Sequence, residues 1–234
     1  KGLITIVNCT FEHMLDDAAN IHGCYLKVTK VIDRFTRGFE TNHWQQTGFD
    51  FAAPGDQIRF VGEYKLLPIC TAIVKSVRVI NEKYREITFT SELPASIDTS
   101  CAGNNITWMP SLEFKNNIVR ENRARSLLVT TPRPVLIEDN RFSSMMSAIL
   151  IEGDTHVWFE SGQVEDVIIR NNYFGDMGYG GFGPILMVSP KIKADKRNEG
   201  YYHRCTSSSY FIILISLIPR QSPSLCDNTE VTSQ

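Results

Sequence analysis

Four segments of the chain share one pattern, in which apolar and polar residues alternate and then lead into an Asn-rich stretch and a large apolar residue. These segments are residues 4–11, 112–119, 135–142 and 167–174. Alternation with a period of two predicts β-strands that bury one face. Asn117 and Asn140 are 23 positions apart, and Asn140 and Asn172 are 32 apart. A repeat of this length predicts a parallel β-helix, with corner asparagines that stack in ladders and tolerate left-handed backbone. The spacing of a leucine-rich repeat is absent from the sequence.

The repeat is interrupted between Cys9 and Asn117, where the chain carries a different pattern. Short alternating runs predict strands at residues 26–32, 57–60, 72–80 and 86–90. Turns are predicted at residues 54–56 and 81–83, which read PGD and NEK. Short strands joined by tight turns are typical of an antiparallel β-barrel or sandwich. We therefore predict an all-β protein, a parallel β-helix with an inserted antiparallel β-barrel-like domain. The alternative is a single long β-helix with irregular rungs.

A compact group of polar side chains follows the first predicted strand, in the sequence MLDDAANIHG at residues 14–23. Two adjacent aspartates, Asp16 and Asp17, are followed by Asn20 and His22. Carboxylates held close together repel each other, which can raise the pKa of one while the other stays ionised. One carboxyl can then act as a general acid while another acts as a base. The stretch is a candidate catalytic site, and the alternative is a polar surface turn or helix cap.

A second candidate region is the loop GDTHVWFESG at residues 153–162, which contains Asp154, His156, Trp158 and Glu160. An exposed Trp beside acids suits carbohydrate, because the ring packs on a sugar face while carboxylates bind hydroxyls. A core Trp beside a salt-bridged Glu is the alternative. The Gly-rich stretch at residues 175–183 lacks the GxGxxG order and does not predict a nucleotide site.

Composition and charge exclude several classes of function. The 234 residues suffice for one large all-β domain or two smaller ones, and a net charge of −2 provides no basic surface for nucleic acid or anionic membrane. The six cysteines include no CxxC pair, which argues against a zinc site. The apolar run at residues 211–218 is far shorter than the roughly 20 residues of a membrane span. Because residue 1 is Lys and no signal peptide precedes the first strand, we expect a fragment of a longer protein or a processed chain.

The rungs, the insert and the Asp-Asp stretch together resemble glycoside hydrolase family 110, the bacterial α-1,3-galactosidases. Members of that family remove terminal α-linked galactose, including that of the blood-group B antigen. The resemblance is carried by NCTFEHMLDDAANIHG at 8–23, HWQQTGFDFAAPGD at 43–56, RPVLIEDNRF at 133–142 and WFESGQVEDVIIRNNYF at 158–174. It covers residues 2–204 and ends after Arg204. We expect the tail beyond that point not to be a native rung.

The resemblance implies a right-handed β-helix with β-barrel elements and an inverting mechanism that uses no metal or organic cofactor. Inversion needs one carboxylic acid to protonate the leaving oxygen and a second carboxylate, about 6.5–9.5 Å away, to activate water. Asp16 is then the expected general acid, and Asp17 helps to hold or activate the water. A further aspartate of the family lies on the preceding rung and would fall before Lys1, so we expect the chain to keep the fold and to lose a factor of about 10²–10⁴ in rate. The expected substrate-binding residues are Asn20, His22, Glu152, Trp158 and Glu160.

The predicted division of the chain is residues 1–25 as the rung with the Asp-Asp site, 26–110 as the inserted domain, 111–204 as further rungs and 205–234 as an atypical tail. Two other functions fit parts of the sequence. A non-catalytic carbohydrate-binding β-helix explains the rungs and Trp158 but gives no reason for the aspartate pair. A polysaccharide lyase would need Ca²⁺ or basic residues, and no Lys or Arg clusters near the aspartates in sequence.

The expected partners of the chain follow from the substrate class. They are galactose-terminated glycans, without nucleic acid and without a membrane span. Since host glycans lie outside the bacterial cell, the expected location is extracellular or periplasmic.

Overall fold

The computed structural model describes residues 1–181, 183–196 and 211–214, the last of these as backbone. All regular elements in that part of the chain are β-strands, apart from two one-turn 3-10 helices at Trp44–Gln46 and Ala194–Lys196. The prediction of an all-β protein is confirmed. Among the described residues, no helix has the length and apolar character needed to cross a bilayer.

Three parallel sheets are built from strands that recur in the same order along the chain. The first sheet contains β1 (Leu3–Val7), β10 (Ser111–Lys115), β13 (Val135–Glu138), β17 (Val167–Arg170) and β20 (Phe211–Leu214). The second contains β2 (Thr10–Glu12), β11 (Ile118–Asn122), β14 (Arg141–Ser144) and β18 (Tyr173–Phe174). The third contains β3 (Ala19–Ile21), β12 (Leu127–Val129), β15 (Ile149–Ile151) and β19 (Leu186–Val188). Each passage of the chain therefore adds one strand to each sheet, and the next passage stacks on it.

The four repeat segments stack in the register that their alternation predicts. Leu112 lies opposite Ile4 on one side and Val135 on the other, and Val135 lies opposite Val167. Apolar residues at equivalent positions therefore form columns inside the coil. Phenylalanine rings continue these columns, with Phe142 stacked at a centroid distance of 5.5 Å on the ring of the next passage. Burial of each such side chain stabilises the fold by about 1.5–3 kcal/mol.

The asparagine corners form the predicted ladder. The backbone N–H of Asn117 donates to Oδ1 of Asn140 at 2.9 Å, and the N–H of Asn140 donates to Oδ1 of Asn172 at 3.0 Å. The residue before each ladder position is left-handed, with φ of 53° at Asn116 and 57° at Asp139. The sequence suggested that one asparagine both forms the ladder and adopts the left-handed backbone. In the structure the ladder residue is Asn117, and the left-handed residue is its neighbour Asn116. Asn and Asp tolerate this backbone because their short side chains bond locally.

A six-stranded antiparallel barrel lies between the first and second passages of the coil. Its strands are β4 (Gly23–Val31), β5 (Thr36–Glu40), β6 (Gln57–Gly62), β7 (Pro68–Val79), β8 (Tyr84–Phe89) and β9 (Cys101–Asn105). They pair in the order β4-β5-β8-β7-β6-β9, and β9 pairs with β4 to close the barrel. Its interior contains Phe39, Phe60 and Phe89, whose ring centroids lie 5.4–6.5 Å apart. This observation confirms the predicted barrel over a sandwich and excludes a single uninterrupted β-helix.

Two barrel strands and one strand of the tail differ from the sequence prediction. β5 and β9 were not expected, because Gly38 and the sequence CAGNN of β9 carry little β propensity. In the tail, β20 pairs in parallel with β17 from Val167↔Phe211 to Arg170↔Leu214. That strand counts against the expectation that no rung follows Arg204. The rest of the tail, residues 205–210 and 215–234, lies outside the described residues.

Candidate active site

The seven residues that the sequence singles out line one cavity of about 740 Å³, where the parallel sheets meet the barrel. They are Asp16, Asp17, Asn20, His22, Glu152, Trp158 and Glu160. The first four lie in the bend before β3, on β3 and in the link to the barrel, whereas the last three follow β15. The volume falls within the range of about 300–1,000 Å³ that small-molecule sites occupy. Stacking of the second and third passages on the first thus brings residues 16–22 and residues 152–160 together.

Arg125 fixes the carboxylate of Asp17 from the next passage of the coil. Its Nε donates to Oδ1 at 2.8 Å, its Nη2 donates to Oδ2 at 3.0 Å, and its backbone N–H donates to Oδ1 at 2.9 Å. The side chain of Asp17 is only 5% exposed. Because the guanidinium donates to both oxygens in a fork, the carboxylate of Asp17 is held in one orientation.

Asp16 is the more accessible carboxylate of the pair. It is exposed on the cavity wall, and its Oδ1 accepts the backbone N–H of Asp17 at 2.9 Å. The two aspartates therefore have different environments, although they are adjacent in sequence. Asp17 is paired with a cation. Asp16 faces the cavity, and among the described residues no other side chain forms a hydrogen bond with its carboxylate. Such a separation of environments is what assigns different chemical roles to two neighbouring carboxyl groups.

Glu160 joins the two stretches of the site. Its Oε1 accepts a hydrogen bond from Nδ2 of Asn20 at 3.2 Å and lies 3.6 Å from Nε2 of His22. Nδ1 of His22 lies 2.7 Å from the carbonyl oxygen of Gly23. A carbonyl oxygen can only accept, so Nδ1 of His22 carries a proton and Nε2 is turned towards the carboxylate. The amide of Asn20 therefore orients Glu160 in the wall of the cavity, and the ring of His22 lies beside that carboxylate.

Glu152 is the buried acid of the cavity. Burial raises the pKa of its carboxyl group, and the positive charge of Lys191, whose Nζ lies 3.3 Å from Oε1, opposes part of that effect. Glu152 therefore retains its proton to a higher pH than an ordinary glutamate and can donate a hydrogen bond to a sugar oxygen.

Cys24 lines the same cavity. Burial and, to a smaller extent, the negative charge of Glu160 raise the pKa of its thiol to about 11. That thiol is neutral at physiological pH and is a poor nucleophile.

Asp154 has a structural role in the loop that carries Trp158 and Glu160. Its buried carboxylate accepts the backbone N–H groups of residues 156–159, and it also pairs with Nδ1 of His156 at 3.2 Å. The loop then enters β16 (Glu160–Ser161), which pairs antiparallel with the first residues of β4. Trp158, at 51% exposed, is a surface ring at the cavity rather than a core residue.

Sequence reasoning missed several residues of the cavity. Arg123 and Arg125 lie in its wall. The expectation that no basic residues lie near the aspartates is therefore wrong, because the fold brings these two arginines close to them. The barrel contributes a further group, namely His43, Gln45, Gln46 and Phe49. A signal for Arg125 was present, because the offset of 108 positions between Cys9 and Asn117 also joins Asp17 to Arg125. No group of three or more His, Cys, Asp or Glu side chains among the described residues is arranged to hold a metal ion.

Comparison with known proteins agrees with the resemblance found in the sequence. Residues 38–100 match the family described as GLAA-B beta-barrel domain II. The chain is 40% identical over 208 residues to alpha-1,3-galactosidase B of Akkermansia muciniphila, covering 87% of this chain and 26% of that protein. It is 36% identical over 199 residues to alpha-1,3-galactosidase A of Bacteroides fragilis, which covers 82% of this chain and 33% of that protein. It is 35% identical over 217 residues to alpha-1,3-galactosidase B of Phocaeicola vulgatus, which covers 87% of this chain and 36% of that protein. The chain thus spans about a quarter to a third of the length of these relatives. Over most of its own length, the chain is similar in sequence to the alpha-1,3-galactosidases A and B of these bacteria.

Proposed function

We propose that the chain carries the active site of an exo-acting glycoside hydrolase that removes terminal α-1,3-linked galactose with inversion of configuration. One observation carries the proposal. The Asp16–Asp17 pair lies in a single cavity with two further glutamates, an oriented histidine and an exposed Trp. Carboxylates that bind hydroxyls and an aromatic ring that packs on a sugar face are what a glycosidase needs, and the relatives named above are α-1,3-galactosidases.

The environments of the two aspartates support different roles. Asp16 faces the cavity and is the proposed general acid that protonates the glycosidic oxygen. Asp17, clamped by Arg125, is the proposed residue that holds the attacking water, together with a carboxylate of the preceding rung as the family resemblance implies. Inversion needs acid and base to be about 6.5–9.5 Å apart, which two adjacent side chains on one bend do not readily provide. Asn20, His22, Glu152 and Glu160 are the proposed ligands of the galactose hydroxyls.

The proposed setting of this activity includes the fold, the domain division and the location of the protein. Three parallel sheets with recurring strands support a right-handed parallel β-helix, since parallel crossover connections are overwhelmingly right-handed. The proposed division into rungs at 1–25 and 111–204 and an inserted domain at 26–110 follows the order of the sheets. The proposed substrates are galactose-terminated glycans, including the blood-group B antigen, and the proposed location is extracellular or periplasmic.

Hydrolysis of an α-1,3-linked digalactoside tests the proposal. NMR should detect β-galactose as the first product, and Asp16→Asn should abolish its release without abolishing sugar binding. The assay compares this chain with one extended upstream by further rungs. Activity of the extended chain alone would indicate that the upstream carboxylate is needed. Two folded chains that both fail to release galactose would contradict the assignment.

A non-catalytic carbohydrate-binding role is the second candidate. The full pairing of Asp17 with Arg125 favours it, because both carboxylate oxygens already accept charged hydrogen bonds from the guanidinium. Under this alternative, wild type and Asp16→Asn bind the digalactoside equally well and neither releases galactose. A lyase is disfavoured because one of the two arginines in the cavity wall, Arg125, already pairs with Asp17 and is not available to compensate the charge of a uronate.

A further inference from the structure

Three aromatic rings form a row that begins at the cavity and ends at an exposed Trp outside its lining. Trp158 lines the cavity, and its ring centroid lies 5.3 Å from that of His43. The ring of His43 lies 5.8 Å from that of Trp44, which is 76% exposed. We call His43, Trp44 and Trp158 the ring row. Two of its members come from the barrel and one from the loop after β15, so the row crosses the junction between the two parts of the fold.

The backbone that carries the ring row is held in place by hydrogen bonds. Gln46 is buried, and its Nε2 donates to the carbonyl oxygens of Trp158 and Phe159 at 3.4 and 3.2 Å. The 3-10 turn Trp44–Gln46 is capped by His43, and Nη1 of Arg85 donates to the carbonyl oxygen of Phe49 at 2.9 Å. The rings of Trp44 and Trp158 are exposed and that of His43 is half-buried, whereas the backbone below them is held by hydrogen bonds. Exposed aromatic rings on a fixed support lose little entropy when a ligand packs on them.

His43 and Trp158 of the ring row line a cavity that also contains many polar side chains, and Trp44 continues the row beyond that lining. The coil contributes the carboxylates Asp16, Asp17, Glu152 and Glu160, and the barrel contributes His43 and its neighbours. The volume of about 740 Å³ lies in the upper part of the range for small-molecule sites. A single hexose gripped by the polar wall would leave the ring row free for another part of the substrate.

We propose that the ring row is a subsite for the pyranose rings on the leaving-group side of the scissile bond. The inference rests on the proposed function. An exo-acting enzyme holds the terminal galactose at the acids, and the remainder of the glycan must leave through the open mouth. A pyranose presents a face of C–H groups that packs on aromatic rings while its hydroxyl edge stays hydrated. The substrates that benefit are oligosaccharides with a sugar next to the terminal galactose, and the barrel supplies the recognition.

Two substrates that differ only in the leaving group separate this subsite from the galactose site. They are galactosyl-α-1,3-lactose and α-galactosyl fluoride, whose leaving group fills no sugar subsite. Trp44→Ala should lower kcat/KM on the trisaccharide roughly tenfold more than on the fluoride, since an aromatic stack contributes that much to binding of a flat ligand. Trp44→Phe should recover most of the difference. Tyr179→Ala is the matched control, because Tyr179 is an exposed aromatic residue that lines a different cavity.

Equal losses on both substrates, or no loss on the trisaccharide, would overturn the subsite. If neither this chain nor the chain extended upstream cleaves either substrate, the proposed function fails, and binding of lactose, measured by NMR titration, decides the subsite alone. Weaker lactose binding by Trp44→Ala than by Tyr179→Ala supports it. Unchanged lactose binding overturns it.

Discussion

The ion pair between Asp17 and Arg125 provides a quantitative test of how the site is held together. Replacement of Arg125 by Met removes the guanidinium and keeps a side chain of similar reach. Asp17 is 5% exposed and would lose two charged hydrogen bonds, of 2.8 and 3.0 Å, while it keeps the backbone N–H of residue 125. Breaking a buried pair costs about 3–5 kcal/mol. Because Arg125 is 26% exposed, water can replace part of the lost interaction, and we expect about 2–4 kcal/mol.

The pair of Arg120 and Glu12 offers a matched control on the neighbouring strand. These side chains also join the first passage to the second across 108 positions, with Nε 2.7 Å from Oε2, but they are 56% and 40% exposed. Arg120→Met should therefore lower the free energy of unfolding by at most about 1 kcal/mol. Urea unfolding at pH 7 measures both variants, with the shift in midpoint multiplied by the common m-value.

A double variant separates the pair from the rest of the site. In an Asp17→Asn background the carboxylate charge is absent, so the further cost of Arg125→Met should be smaller by about 1–3 kcal/mol. Equal losses of stability in Arg125→Met and Arg120→Met would refute the reasoning, because the difference rests entirely on burial. An additive double variant would refute it as well.

Three further predictions concern the ladder, the buried acid and the Trp loop. Asn140→Ala leaves the N–H of Asn117 and other buried backbone groups without partners, and should lower the free energy of unfolding by about 2–4 kcal/mol in urea. Burial raises the pKa of Glu152 in the folded protein, so its protonated form contributes stability that is complete below its ordinary value of 4.5 and is lost as the pH rises through the folded value. Glu152→Gln should therefore lose less stability than wild type between pH 4.5 and neutrality, and parallel urea midpoints across that range would contradict this. Asp154→Ala frees the N–H groups of residues 156–159, and hydrogen exchange of that peptide should accelerate at least roughly tenfold, with no change indicating that the carboxylate is dispensable.

The coil could be predicted from the sequence because its signals are local and repeated. Alternating residues fix which face of each strand is buried, and a slip of one residue would expose every apolar side chain. The register of Leu112 opposite Ile4 and Val135 satisfies that constraint, and the aligned asparagine corners select it over a slip of two residues. The asparagine corner is equally local, since it depends on left-handed backbone at Asn116 and an amide at Asn117.

The barrel strands that were missed depend on distant neighbours. β9 has no β-branched residue, yet all five of its residues are buried, because it pairs with β4 on one side and β6 on the other. A Cβ at Gly103 would come within 2.9 Å of Ile58 and Phe39, so this strand needs a residue without a side chain. Propensity therefore argues against a strand at the position where closure of the barrel demands one. The partner of Asp17 was missed for a related reason, since the barrel separates it from Arg125 in sequence.

The position of the site follows from how the barrel is attached to the coil. The barrel begins at Gly23, directly after β3, and the chain returns at Ser111, which lies opposite Leu3, the first residue of β1. Such an insertion costs little, because the entropy of closing a loop grows only slowly with its length. The two parts still have to meet closely, since a Cβ at Gly23 of the barrel would lie 2.7 Å from Oγ of Ser161 in the coil. Because β16 pairs with β4 at this junction, the acids of the coil and His43 of the barrel are held together in one cavity. A site built in this way can change its preference for the outer sugars through the barrel turn while the carboxylates on the coil remain where the chemistry requires them.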